Sequence, residues 1–118
     1  MSNYYLQTTI LENCPYCNAT LKLLNNHNIK TDTITVNQNN KENYKTDAIQ
    51  TFPQIYLKKK NSKGTLLLGG YDDLVSFINK FKLQSYSKEN IDEFVKNNKN
   101  WSRKATLRFI EMINLPVI

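Results

Sequence analysis

Both cysteines of the chain fall in one short stretch, Asn13-Cys14-Pro15-Tyr16-Cys17, between an apolar, strand-like run (residues 4–10) and a helical pattern. Cys17, Leu21 and Leu24, with Thr20 beside them, share one helical face. Cys14 is therefore expected at or just before a helix N-terminus. Pro15 then takes the first helical position, where a missing N–H costs nothing. A sulfur at that place meets the positive end of the helix dipole and unpaired backbone amides, both of which favour thiolate over thiol. Cys17 is expected buried in the first turn, at a separation that suits a small, reducible disulfide ring. Cys14 thus reads as a nucleophile and Cys17 as its resolving thiol. A Cys-x-x-Cys pair is also a common half of a zinc site, but structural zinc takes four ligands and the only other soft ligand is His27. No metal is expected. A pair of inert structural cysteines is the remaining alternative, and the helix-start context favours redox chemistry over it.

The whole chain sets the bounds within which that motif works. Its 118 residues suit one core that needs no staples. No run approaches the roughly 18 apolar residues of a membrane helix, and the first residues lack the pattern of a signal peptide. A cytoplasmic protein is the expectation, since a Cys-x-x-Cys pair in a reducing compartment fits reversible chemistry better than a structural bridge. The net charge is +6, yet of 16 basic residues only Arg103 and Arg108 are arginine. The lysines are scattered rather than interleaved with aromatics, so nucleic-acid binding is not expected. The positive charge is suited to attracting anionic substrates.

Along the chain, residues 4–10 read as a first strand and 15–26 as the first helix, closed by Asn26-His27-Asn28, with His27 a solvated loop or cap residue. Residues 29–36 alternate apolar and polar side chains and are rich in β-branched ones, a second strand. Residues 41–49 carry a short, weak helical pattern with Tyr44, Ala48 and Ile49 on its apolar side. Thr51-Phe52-Pro53 leads into a third strand, 54–58, and the hairpin 59–64 returns it antiparallel through 65–68. Lys58 to Lys60 read as a solvated hairpin tip. Gly69-Gly70 ends that strand, and Leu74, Phe77, Ile78 and Phe81 give an amphipathic helix. The expected order is β-α-β-α-β-β-α over residues 1–81. Residues 82–118 form an extension, a helical hairpin with stripes Ile91, Phe94, Val95 and Trp101, Ala105, Phe109, Met112 or Ile113. Ser102 is the candidate N-cap of its second helix.

With Cys14-Pro15-Tyr16-Cys17, Thr51-Phe52-Pro53 and Gly69-Gly70-Tyr71-Asp72-Asp73 in this order, residues 3–81 resemble a dithiol glutaredoxin. The resemblance implies the thioredoxin fold, an α/β class with a four-stranded mixed sheet flanked by helices. It implies a cis bond before Pro53, which would leave the Phe52 backbone beside Cys14, free to pair with an extended thiol peptide. It also implies a glutathione site at Cys14, Tyr16, Thr51, Phe52, Pro53, Tyr71, Asp72 and Asp73. There the γ-glutamyl carboxylate would rest on the backbone of Tyr71 and Asp72, and the ammonium near Asp73. Capping of the last helix is the plain alternative for both acids.

Three departures accompany the resemblance. Leu11 stands where the family usually has a lysine, so thiolate stabilisation is weaker or a lysine elsewhere, Lys41 or Lys45, takes over. Phe52 replaces a usual valine, and Tyr71 a usual cysteine or serine, so substrate preference is open to change. The extension is the third.

The function implied is glutathione-dependent thiol–disulfide exchange, acting as a monomer on glutathione and on disulfide-containing or glutathionylated proteins. Two alternatives stand beside it. One is a glutathione-ligated iron–sulfur carrier dimer, against which Pro15 and Tyr16 count. The other is a redox module docked on a particular partner by residues 82–118.

Overall fold

Period-two alternation in the first run places Leu6 and Thr8 on one face of a strand and Thr9 on the other, all three buried. In the computed structural model, which describes residues 4–61, 63–81, 88–98 and 101–114, this run is β1 (Tyr4–Leu11). It lies inside a four-stranded sheet of order β2-β1-β3-β4, with β2 Thr31–Val36, β3 Gln54–Lys59 and β4 Thr65–Gly69. β1 runs parallel to β2, with Leu6 opposite Thr31, and antiparallel to β3, with Leu6 opposite Leu57 and Thr8 opposite Ile55. β3 and β4 pair antiparallel, as the short hairpin between them requires. The mixed sheet with flanking helices is the expected thioredoxin fold.

The parallel pairing of β1 and β2 needs a crossover, and α1 (Pro15–Asn26) supplies it. The helix starts at Cys14, which has extended backbone, and at Pro15 in the first position, as expected. It buries Cys17, Thr20 and Leu24, while Leu21 stays half-buried at the edge of that face. It ends at an exposed His27, whose amide turns back to the carbonyls of Leu23 and Leu24, and at Asn28 in the left-handed region (φ 58°).

The helix expected over residues 41–49 is not there. Only Lys41–Tyr44 form a single 3-10 turn, and the rest of the segment is irregular, with Tyr44 and Ala48 exposed and Ile49 buried. Side chains take the backbone groups that a helix needs. Gln54 Nε2 donates to the Tyr44 carbonyl at 2.8 Å. Thr46 and Ile49 close a loop on each other, the Thr46 amide donating to Ile49 O (2.8 Å) and the Ile49 amide to Thr46 Oγ1 (3.1 Å). Short polar side chains competing in this way for backbone partners is what keeps them poor helix formers.

After β4 come α2 (Tyr71–Phe81), α3 (Lys88–Asn97) and α4 (Arg103–Asn114). Phe77 of α2 is fully buried and gathers aromatic rings from the C-terminal helices. Trp101 stacks on it at 4.7 Å and 10°, Phe94 meets it edge-on at 5.3 Å, and Phe109 does so at 4.6 Å. Ile91, Ala105 and Ile110 complete this side of a core that is continuous with Leu6, Ile55, Leu57, Leu68 and Leu24. Both expected stripes face inward. Ser102 Oγ accepts the Ala105 amide at 3.0 Å, the cap expected of it. Residues 82–87 and 99–100, and the side chains of Phe81 and Ile113, lie outside the described part.

Trp101→Ala removes the ring stacked on Phe77 and is expected to cost about 3–5 kcal/mol. Leu107→Ala, on the exposed side of α4, is expected to cost about 0.5 kcal/mol or less. Urea denaturation of the two variants measures the contrast.

Candidate active site

The β1–α1 junction places Cys14 just beyond the end of the interior strand β1 and Cys17 in the core beneath it. Cys14 is half-exposed, and its Sγ accepts the amide of Cys17 at 3.2 Å, so the sulfur itself caps the helix. The same sulfur lies 3.9 Å from the Phe52 carbonyl oxygen. Cys17 is fully buried, and its Sγ accepts the Leu11 amide at 3.4 Å. Burial, followed by the hydrogen bond to the Cys14 sulfur, pushes the Cys17 thiol up from 9.0 to about 12, against the opposing pull of the Leu11 amide. Both cysteines are free thiols. The pair therefore consists of one accessible sulfur and one held protonated in the core.

The Phe52–Pro53 bond is cis, as the resemblance implied. Beside it opens a groove of about 610 Å³, walled by Tyr16, Ala48, Ile49, Gln50, Thr51, Phe52, Pro53, Gly70, Tyr71, Asp72 and Asp73. Tyr16, Thr51, Phe52, Pro53, Tyr71, Asp72 and Asp73, the residues of the expected glutathione site other than Cys14, all line this groove, and the Cys14 sulfur lies beside its Phe52 wall. The Tyr16 ring is 63 % exposed and meets the Tyr71 ring at a centroid distance of 5.8 Å, so the two form an aromatic rim.

Three lining residues had no signal read as functional: Ala48, Ile49 and Gln50. They reach the groove because residues 45–53 are a loop and not a helix. Neither Lys41 nor Lys45 lines the groove in place of the missing lysine at Leu11. Lys45 is engaged with Glu42 at 3.0 Å.

At the head of α2, the Leu74 amide bonds to Gly70 O at 3.1 Å, which leaves the amides of Tyr71, Asp72 and Asp73 without an intrahelical partner. Asp73 Oδ2 accepts the Gly70 amide at 2.9 Å, the acidic half of a capping box. Capping is thus real for Asp73, while Asp72 is exposed at the groove. The two glycines are not equivalent. Gly69 has φ +119°, and a Cβ there would fall on the Asp73 carboxylate, whereas a Cβ on Gly70 would meet only Pro53 O at 3.5 Å.

A partly exposed sulfur at a helix start, a buried partner thiol one turn away and an open backbone edge are suited to thiol–disulfide exchange. Comparison with family models matches residues 5–61 to Glutaredoxin. The matched part stops in the β3–β4 hairpin, before Gly69 and the head of α2. No curated protein matches the chain significantly.

Gly69→Ala is expected to lose about 1–3 kcal/mol and to displace the Asp73 carboxylate, and Gly70→Ala far less; denaturant midpoints measure both. Cys17 gives a pH signature. Below about pH 9 its thiol is protonated in the folded and unfolded chain alike, and its contribution to stability is complete. Between 9.0 and about 12 the unfolded chain releases the proton and the folded chain keeps it, so stability falls as pH rises. Wild type is expected to lose up to about 1.4 kcal/mol per pH unit more than Cys17→Ala in that window. Below pH 8 the two should run parallel, as followed by urea unfolding across pH.

Proposed function

The domain over residues 5–61 is a member of the glutaredoxin family, and from that premise we propose that the chain is a glutathione-dependent thiol–disulfide oxidoreductase with Cys14 as nucleophile and Cys17 as resolving thiol. The observation that carries this reading is the asymmetry of the pair, with an accessible Cys14 sulfur capping α1 and a fully buried Cys17 whose thiol is pushed up to about 12.

The exchange runs in two steps. Cys14 thiolate attacks one sulfur of a substrate disulfide; that S–S bond breaks, a Cys14–substrate disulfide forms, and the other substrate sulfur leaves as a thiolate. Cys17 then gives its proton to that thiolate and attacks the Cys14 sulfur, releasing the second substrate sulfur, which takes a proton from water. The substrate has gained two electrons and the protein holds a Cys14–Cys17 disulfide. Two glutathiones return it to the dithiol and leave as glutathione disulfide. While no mixed disulfide is present, the high Cys17 value keeps that thiol silent, so Cys14 is the group that reacts first.

The groove supports the glutathione part of the reading. Its volume suits a small peptide, and the amides of Tyr71 and Asp72 at the α2 N-terminus suit a carboxylate. Asp72 and Asp73 supply negative charge for an ammonium. Thr51, Phe52 and Pro53 present extended backbone beside Cys14, a place for a short strand-like contact with the substrate. Tyr16 and Tyr71 form the rim over which the substrate enters. The chemistry needs a reducing thiol pool, and the cytoplasm is the compartment that supplies one.

Cys14→Ser is expected to abolish reduction of every disulfide. Cys17→Ser is expected to retain reduction of glutathione mixed disulfides and to lose that of protein disulfides. A coupled mixed-disulfide assay beside a protein-disulfide assay reads both, and full activity in Cys14→Ser would sink the assignment.

A further inference from the structure

Tyr16 is the second residue of α1 and Tyr71 the first of α2, so each ring at the groove stands on the opening turn of a helix. Their centroids are 5.8 Å apart and their planes cross at 44°. Phe52, whose carbonyl oxygen lies 3.9 Å from the Cys14 sulfur, is the third aromatic residue of the wall. Tyr16 is 63 % exposed, more than any other large hydrophobic side chain among the described residues. A lone exposed ring needs no explanation, but this one is paired and stands two residues from the accessible sulfur. The turns that carry the two rings are fixed. The Cys17 amide bonds to the Cys14 sulfur at 3.2 Å and Thr20 Oγ1 donates to the Tyr16 carbonyl at 2.8 Å. On α2 the Leu74 amide bonds to Gly70 O at 3.1 Å and Asp73 Oδ2 accepts the Gly70 amide at 2.9 Å. Tyrosines presented on fixed turns lose little freedom when a partner covers them. Charge around the groove is mixed. Asp72 and Asp73 stand in the wall, while Lys41 and Lys45 lie on the segment that leads into it.

Mixed charge gives no preference of sign, whereas the rings offer a substrate side chain apolar surface together with a face or an edge to pack on. Glutathione is held by other features. Its cysteine lies between a glycine and a γ-glutamyl group, neither with an apolar side chain, and its charges have their places at the head of α2. A polypeptide segment differs in having side chains on both sides of its cysteine. With its backbone laid along Phe52, the residues next to that cysteine come over the Tyr16–Tyr71 rim. Resting on the oxidoreductase reading above, we infer that Tyr16 and Tyr71 form a specificity-determining aromatic subsite, and that the preferred protein substrates are disulfides whose cysteine is flanked by an aromatic or large apolar residue. The two classes of substrate thus use different parts of one groove, glutathione its polar head and protein disulfides its rings as well. Apolar contact of this kind is not screened by salt.

The test uses the full chain, reduced beforehand, in single-turnover reactions that need no added glutathione. The substrates are three peptides of equal length, each carrying one cysteine in mixed disulfide with the same neutral thiol and flanked on both sides by Phe, Leu or Ser. Uncharged flanks keep the chemistry of the cysteine alike, and reaction with a small free dithiol corrects for the difference that remains. Glutathione in the same mixed disulfide is run beside them. The expected order of second-order rate constants among the peptides is Phe, then Leu, then Ser. The Phe-to-Ser ratio should be roughly fivefold at low salt and the same at about 0.5 M salt. It should fall to about twofold or less in Tyr16→Ser and in Tyr71→Ser, and survive in Tyr71→Phe, which keeps the ring. Each ratio compares two peptides on one variant, so a general loss of activity cancels. A flat order in the wild type, a ratio that shrinks with salt, or a ratio retained by either serine variant overturns the inference and leaves the oxidoreductase reading standing. Reduction of the glutathione disulfide but of no peptide does the same. Reduction of none of the four overturns both.

Discussion

The amide of Leu11, at the end of β1, donates to the buried sulfur of Cys17, at the start of α1, and so ties the central strand to the crossover helix at one point. The geometry of the other cysteine follows from that tie. With Cys17 fixed in the core, the first turn of α1 can offer its amide to only one place, and Cys14 Sγ occupies it at 3.2 Å. The accessible sulfur is thereby held at the mouth of the groove by a partner that water cannot reach. Removing Cys17 from water is also what raises its thiol so far. One burial therefore sets two chemically identical side chains in unlike surroundings, one sulfur accessible and the other enclosed and protonated.

Much of this was legible in the chain itself. Alternation at residues 4–10, the 3.6-residue spacing of Cys17, Thr20 and Leu24, and the Leu74, Phe77, Ile78 face of α2 each depend on neighbours in sequence, and each element appeared where its period placed it. The groove motifs were legible for the same reason, since a proline before a strand and a Gly-Gly before a helix act locally. Residues 41–49 were not. Tyr44, Ala48 and Ile49 have a spacing that a helix could use, but Thr46 and the Gln54 side chain, whose Nε2 donates to Tyr44 O at 2.8 Å, claim the backbone instead. The last of these partners lies ten residues away and arrives only with β3.

α2 has two jobs at its two ends. Its first turn, through the Gly70 amide and the Asp73 carboxylate, shapes one wall of the groove. One and a half turns further on, Phe77 is gripped by Phe94, Trp101 and Phe109. The C-terminal helices consequently hold the groove wall in position without lining it. Their apolar stripes are spent on this core, which supports a structural role for α3 and α4 more than a docking one.

That aromatic grip separates the unit of likeness from the unit of folding. Family resemblance over residues 5–61 ends inside the β3–β4 hairpin, while the packed interior runs on to Ile110. A chimaera cut where the likeness ends would leave Ile55 and Leu57 without the layer that covers them. One cut after α2 would strip the rings from Phe77 and expose its face to water. The smallest piece of this chain that keeps its interior closed is therefore longer than the matched part and includes the C-terminal helices.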